Sequence, residues 1–165
     1  MNKWMGKGLL ALLLFVWLLP FTASAHDNSA GYSDITVEAD RVTMHVFLEQ
    51  IFLLDVAHLP WDGSEFDEAY MDAHREQMDK SVKPELRVVA DGKNLQAQTD
   101  AVKLSDRGGI TYVEFDYTYQ ADKPIEGLAI TNNLYVRHNP DTHTNFATIT
   151  VGDQQTEFIF ESTKR

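Results

Sequence analysis

Apolar and polar residues alternate along several stretches of this chain, most strongly over residues 110–120. Side chains on a β-strand point in turn to opposite faces, so a period of two is typical of a strand with one buried face. Residues 41–52 show the same period. The apolar positions of the two stretches are Val113, Phe115, Tyr117 and Tyr119, and Val42, Met44, Val46 and Leu48. This pattern predicts a sheet that covers a core on one side.

Turn signals separate the alternating stretches. Asp91-Gly92, Gly108-Gly109 and Gly152-Asp153 each stand between two such stretches, and pairs of this kind favour tight hairpin turns. The strands between the signals number about eight, at the regular spacing of sandwich proteins. The sequence therefore predicts an all-β fold, an immunoglobulin-like antiparallel β-sandwich.

One segment, residues 64–80, has a helical pattern instead. Ser64 is a candidate N-cap, and Asp67 three residues later resembles the second half of a capping box. We expect one α-helix here, inserted between strands. The residues before it, 53–63, are apolar but lead to Pro60, and we interpret them as a strand end followed by a loop.

The first residues predict a secretory signal peptide. Two lysines precede an apolar run over residues 9–19, and Ala-Ser-Ala at residues 23–25 forms a cleavage site. An uncleaved membrane anchor is the alternative, but this run is shorter than the roughly 20 residues that span a bilayer. We expect residues 1–25 to be removed and 26–165 to form a single exported domain without a membrane span. Its location would be periplasmic, cell-surface or extracellular.

The charge balance excludes some functions. The chain has a formal net charge of −11, and removal of the leader takes away two lysines and no acidic residue. Nucleic-acid binding needs a basic face, and anionic lipid also repels an acidic protein. The sequence has no Cys, no Gly-x-Ser-x-Gly motif and no glycine-rich phosphate loop. We therefore predict a non-enzymatic protein, with a hydrolase that uses two carboxylates as a remote alternative.

Histidine is the residue type that suggests chemistry. If cleavage follows Ala25, His26 becomes the first residue, and its α-amine and ring Nδ1 can chelate one metal ion. His138 and His143 flank a Pro-Asp turn, and Asp141 between them can add an oxygen or orient a ring. We predict these four residues as ligands of a divalent metal, either nickel, cobalt, copper or zinc. The alternative is a disordered terminus and ordinary loop hydrogen bonding.

The other three histidines are interpreted as structural. His45 is expected to project from the polar face of its strand as a surface residue. His58 is expected to pack within a loop, next to Leu59 and Pro60. His74 follows Tyr70 by four residues on the predicted helix, which favours packing over metal binding.

Four tyrosines offer a second function. Rings at alternate strand positions can form a stacking surface, which would suit a secreted adhesion or polymer-binding module that uses no metal. The residues concerned are Tyr112, Tyr117, Tyr119 and Tyr135. Packing into the core is the competing interpretation, since tyrosine is common in buried sheets.

The two ends of the exported part carry a recognisable pattern. From residue 25 the chain reads Ala-His-Asp-Asn-Ser-Ala-Gly-Tyr, and from residue 134 it reads Leu-Tyr-Val-Arg-His-Asn-Pro-Asp-Thr-His-Thr-Asn-Phe. Together they resemble the exported N-terminal domain of HupE/UreJ-like membrane proteins. In that resemblance Asp141, His143 and Asn145 match the family's acidic residue, spaced histidine and asparagine.

The resemblance implies an extracytoplasmic domain that binds a divalent metal or delivers it to a membrane protein partner. Members of the family continue into a bundle of transmembrane helices associated with nickel or cobalt handling. This sequence contains no such bundle, so we expect a stand-alone domain or one part of a split protein. No transport path is implied for this chain.

Overall fold

The computed structural model describes residues 29–61, 63, 66–134 and 143–160. The predicted leader lies outside these residues. The described elements, in chain order, are β1 (Ser29–Val37), β2 (Arg41–Glu49), α1 (Gln50–Ala57), α2 (Glu68–Val82), a 3-10 turn (Lys83–Glu85), β3 (Leu86–Ala90), β4 (Lys93–Asn94), β5 (Ala97–Arg107), β6 (Ile110–Gln120), β7 (Leu128–Asn132), β8 (His143–Val151) and β9 (Gln154–Phe160).

The strands form two sheets in a sandwich-like arrangement. The larger sheet has the order β5-β6-β2-β1-β8-β9, and the smaller has the order β4-β3-β7. The fold is all-β with an inserted helix, as the sequence predicts. One detail of that prediction is wrong, because β1 and β8 pair in parallel. About a hundred residues separate these two strands, so no hairpin turn forces them to run in opposite directions.

The predicted turns are confirmed. Ala90 pairs with Lys93 across a two-residue turn, and Asp91 and Gly92 in that turn have φ of 50° and 80°. Two successive positive φ values define the type I′ turn that matches the twist of a hairpin. Gly108 and Gly109 form the same type of turn between β5 and β6, with φ of 69° and 84°.

The core lies on the inner face of β2 and β6. The alternating apolar residues of both strands are buried, and they pack with apolar residues of α1, α2 and β3. A fully buried side chain of this size contributes about 1.5–3 kcal/mol relative to an exposed one. The core therefore depends on the two strands whose alternation is clearest in the sequence.

Helix α2 begins and ends later than predicted. Its N-cap is Asp67, whose carboxylate accepts a hydrogen bond from the Tyr70 backbone N–H at 2.7 Å. Ser64, the predicted N-cap, lies outside the described residues. Asp67 satisfies a free N–H of the first helical turn and therefore caps the helix, three residues after the predicted position. The helix continues to Val82, which is fully buried.

Residues 50–57 form helix α1, where the sequence favoured a strand end and a loop. That interpretation is wrong. The buried residues of the segment are Phe52, Leu53, Val56 and Ala57. This spacing fits one face of a helix rather than one face of a strand. His58 closes the helix in the left-handed region with φ of 50°, and its N–H donates to the Asp55 carbonyl at 3.3 Å.

Neither of these helices has the length and apolar character needed to cross a membrane.

Asp79 ties helix α2 to the larger sheet. Its carboxylate accepts hydrogen bonds from the Tyr117 hydroxyl at 3.0 Å and the Thr99 hydroxyl at 2.9 Å. Lys83 Nζ lies 2.8 Å from the second carboxylate oxygen. Burial, together with the nearby Asp79 charge, raises the pKa of the Tyr117 phenol far above its ordinary value. The phenol therefore stays a hydrogen-bond donor, and the carboxylate links three elements.

Replacing Asp79 with alanine is expected to lower the free energy of unfolding by about 2 kcal/mol, because the hydroxyls of the buried Tyr117 and the half-buried Thr99 lose their acceptor. Urea denaturation monitored by circular dichroism measures this loss. Asp72→Ala on the same helix is the matched control, since its carboxylate is 70% exposed and its ion pair is with the neighbouring Arg75. That control should change stability by less than about 0.5 kcal/mol. Equal losses in the two variants would contradict a link between helix and sheet.

Candidate metal centre

Most of the ligands predicted from the sequence lie outside the described residues. These are His26, His138 and Asp141. The backbone of His143 is described as the first residue of β8, where it pairs with Ser29 of β1. The metal site predicted from these four residues therefore stays a prediction.

Asn145, the third residue of the family-like pattern, has a structural contact. It is fully buried, and its side-chain oxygen accepts a hydrogen bond from the Ser33 hydroxyl at 3.0 Å. Ser33 lies on β1 and Asn145 on β8, so this bond joins the two parallel strands inside the protein. A buried amide that is hydrogen-bonded in this way stabilises one particular strand pairing.

The outer face of the larger sheet brings a different group of residues together. His45 on β2 stands opposite Asp116 on β6, and the next pair along the same face is Phe47 with Glu114. On its other side β6 pairs with β5, where Lys103 stands opposite Glu114. Because alternate residues share a face, the strands that bury the core on one side gather these polar side chains on the other.

The distances within this group are short. His45 Nδ1 lies 2.6 Å from Asp116 Oδ1 and 3.4 Å from Glu114 Oε1. Lys103 Nζ lies 2.8 Å from Asp116 Oδ2 and 3.3 Å from Glu114 Oε1. One ligand atom from each of His45, Glu114 and Asp116 can be chosen so that all three lie within 4.8 Å of one another. We call His45, Glu114 and Asp116 the outer-face triad.

The two carboxylates of the triad are buried, while the groups that pair with them are not. Glu114 and Asp116 side chains are 11% and 12% exposed, against 44% for His45 and 49% for Lys103. Burial raises the pKa of the Asp116 carboxyl, but hydrogen bonds from Lys103 and His45 outweigh it and bring the pKa below the ordinary 3.8. The hydrogen bond to Asp116 raises the pKa of Lys103. The carboxylates thus need a cation, and the half-exposed ammonium of Lys103 supplies one.

An ion pair between Arg107 and Asp34 lies beside the triad, toward β1. Arg107 on β5 binds Asp34 on β1 at 2.8 Å, and its guanidinium lies 4.7 Å from the ring centroids of both Tyr32 and Phe47. The hydrogen bond to Asp34 raises the pKa of Arg107. Asp34 stands opposite His45 in the pairing of β1 with β2. Since Arg107 already neutralises Asp34, Lys103 is the cation that pairs with the two carboxylates of the triad.

The structure also locates the other histidines. The ring of His74 lies 4.5 Å from the ring of Tyr70, which confirms packing on the helix. His58 is exposed at the end of α1, so its expected packing within a loop is wrong. His45 does project from the polar strand face as expected. Its closeness to two carboxylates was missed, because they lie about seventy residues away in the sequence.

The three described tyrosines of the predicted stacking surface are buried. Tyr112, Tyr117 and Tyr119 are at most 2% exposed, which confirms packing rather than display. Burial raises the pKa of the Tyr119 phenol to about 12. Tyr135 lies outside the described residues. The three described rings therefore cannot contact a bound polymer.

Comparison with known proteins gives no further guide. No protein-family model matches this chain, and no curated protein matches it either. The chemistry of the outer-face triad must be judged from its own residues.

The lowered pKa of Asp116 predicts how stability depends on pH. A carboxyl group whose folded pKa is depressed adds stability above its unfolded pKa and loses it as the pH falls through the folded value. Asp116→Asn is expected to lower the free energy of unfolding by about 1 kcal/mol at pH 7. The difference from the wild type should begin to shrink below about pH 4.

Chemical denaturation at pH values from 7 to 3 measures this difference. Asp106→Asn, on the exposed end of β5, serves as the control for adding one neutral amide to the sheet. A difference that stays constant down to pH 3 would show that the charge of Asp116 does not stabilise the fold.

Proposed function

We propose that this protein is a non-enzymatic extracytoplasmic domain that binds a divalent transition metal through His45, Glu114 and Asp116. One observation carries the proposal: the His45 imidazole and the buried carboxylates of Glu114 and Asp116 converge on one point. The ammonium of Lys103 lies next to this point. One nitrogen and two oxygens form a donor set that suits zinc, cobalt or nickel.

The spacing of the donors supports this proposal. Zinc–nitrogen and zinc–oxygen bonds are about 2.0–2.2 Å, so the donors of a tetrahedral site lie about 3.3 Å apart. The 3.4 Å between His45 Nδ1 and Glu114 Oε1 already matches that spacing. The 2.6 Å between His45 and Asp116 is a hydrogen bond and has to open by less than about 1 Å. Small side-chain rotations are enough for such a change.

Lys103 is the internal competitor of the metal. Its ammonium is the cation that the two carboxylates hold, and a metal ion takes over this role when Lys103 turns outward. Half of the Lys103 side chain is exposed, so the displaced ammonium can be hydrated at little cost. The exchange of one cation for another keeps the buried carboxylates neutralised throughout.

The charge of the whole chain and its leader also favour this function. A net charge of −11 raises the concentration of cations near the surface. Residues 1–25 have the pattern of an export signal, and the ends of the exported part resemble a family associated with nickel and cobalt. Delivery of the metal to a membrane protein partner is the corresponding role. Three of the four tyrosines on which the adhesion alternative depends are buried, which favours the metal-binding proposal.

Isothermal titration of the purified protein with Zn²⁺, Ni²⁺ and Co²⁺ at pH 7.5 tests the site. We expect one ion per chain, and His45→Ala should weaken binding at least about tenfold because the nitrogen donor is lost. Lys103→Met should tighten binding by about threefold, since the competing charge is gone. His74→Ala is the matched control and should bind as the wild type does.

The opposite effects of His45→Ala and Lys103→Met distinguish a metal site from a structural ion-pair cluster. A cluster without metal affinity would give no one-to-one binding in any of these proteins. If His143→Ala abolished binding while His45→Ala did not, the ligands would be those predicted from the sequence. Either result would overturn the proposal for the outer-face triad.

A further inference from the structure

Exposed apolar side chains gather at the β8–β9 end of the larger sheet. Phe146, Val151, Phe158 and Ile159 are each 42–53% exposed, and all four belong to these two strands. Neighbouring exposed apolar residues are typical of interaction sites, whereas scattered ones are not informative. Four of the seven large apolar side chains that are exposed among the described residues therefore lie at this end of the sheet.

An apolar groove separates this end of the larger sheet from the smaller one. Its volume is about 440 Å³. Leu128 and Ile130 of β7 form one wall, and Ile149, Val151 and Phe158 of β8 and β9 form the other. Among the residues that the structure describes, its lining includes no charged side chain. The two sheets thus leave part of their inner faces uncovered where β7 and β9 face one another.

Strand β9 is an unprotected sheet edge. It lies at the end of the larger sheet, and within the described residues it pairs with β8 alone. Its seven residues pair with β8 without a bulge, and they include one charged residue, Glu157, and no proline or lysine. Natural edge strands usually carry such features to prevent pairing with another chain. Their lack at a long edge favours strand addition.

The other face of β9 has a mixed character. A second cavity, of about 520 Å³, lies there; its lining includes Tyr32, Phe146 and Ile159 together with Glu157 and with Arg107, which is paired with Asp34. A strand added beside β9 would direct alternate side chains into the groove and into this second cavity. One face of an added strand would therefore find apolar contacts in the groove, and the other would lie beside Glu157 and an arginine that Asp34 already neutralises.

The charges around the edge indicate what kind of strand fits. Glu157 lies on β9, Glu126 lies two residues before Leu128, and Asp153 directly precedes Gln154. All three are exposed, and none forms an ion pair in the described part of the chain. A second copy of this acidic chain would bring the same charges to the edge, whereas a basic segment would neutralise them.

We propose that β9 and the adjoining groove receive an extended basic segment of a partner protein as an added β-strand. Apolar residues at every second position of that segment would enter the groove, and lysine or arginine between them would face the acidic margin. This inference does not depend on metal binding, because the outer-face triad lies on β2 and β6.

A fluorescein-labelled peptide, Lys-Val-Lys-Val-Lys-Val-Lys, tests the proposal by fluorescence anisotropy with the full chain. Its length matches β9. The comparison peptide Lys-Lys-Lys-Val-Val-Val-Lys has the same composition and charge but lacks the alternation. We expect the alternating peptide to bind at least about tenfold more tightly, because its valines alone can fill the groove. Hydrogen exchange should then show slower exchange of the backbone amides of residues 154–160.

Two variants locate the binding. Phe158→Ala should weaken binding of the alternating peptide at least about fivefold, because it removes the exposed ring from the groove. Ile51→Ala, which removes a similarly exposed side chain from helix α1, is the matched control and should bind normally. Circular dichroism checks that both variants are folded.

Three results would overturn the proposal. The first is equal binding of the two peptides, which would mean that charge alone attracts them. The second is unchanged binding by Phe158→Ala. The third is a dimer in sedimentation that Ile159→Lys dissociates, since a second copy would then occupy the edge. His45→Ala should leave peptide binding unchanged, so failure of the metal proposal can be distinguished from failure of this one.

Discussion

The two faces of strand β6 determine most of this structure. Its inner face supplies Val113, Phe115, Tyr117 and Tyr119 to the core, and its outer face supplies Glu114 and Asp116. Because the side chains alternate, a slip of one residue would turn the aromatic rings to the outer face and place the carboxylates in the apolar core. Packing of the core therefore fixes the register that brings Asp116 opposite His45. The carboxylates are held where they are by apolar contacts on the far side of the sheet.

The candidate metal centre and the β9 edge belong to the same sheet. The order β6-β2-β1-β8-β9 puts three strand spacings between β2 and β9, which amounts to about 14 Å. Arg107, stacked on Tyr32 and Phe47, lies in the region between them and closes the polar cluster toward β1. A strand added at β9 would lie one spacing further out, about 19 Å from β2, and would share no ligand with the proposed metal site. The proposed metal site and the proposed partner edge are thus separate parts of one sheet.

Local features of the sequence predicted local features of the fold. Asp91-Gly92 and Gly108-Gly109 formed the expected turns because glycine and aspartate tolerate the positive φ values that these turns require. Strand β6 formed as predicted because its alternation is uninterrupted. Helix α1 was missed because Phe52 and Leu53 continue the apolar content of β2 without a break. The parallel pairing of β1 with β8 and the approach of His45 to Asp116 join residues far apart in the chain. Composition and spacing contain no signal for such pairings.

The most direct measurement of the central claim is the position of the ion itself. Crystals of the protein grown with one equivalent of Zn²⁺ can be measured on both sides of the zinc absorption edge. The account predicts an anomalous difference peak that is present above the edge and absent below it, within about 2.2 Å of His45 Nδ1 and of one oxygen from each of Glu114 and Asp116. Lys103 should be turned away from both carboxylates. A zinc peak at other residues, with Lys103 still bridging Glu114 and Asp116, would contradict the account.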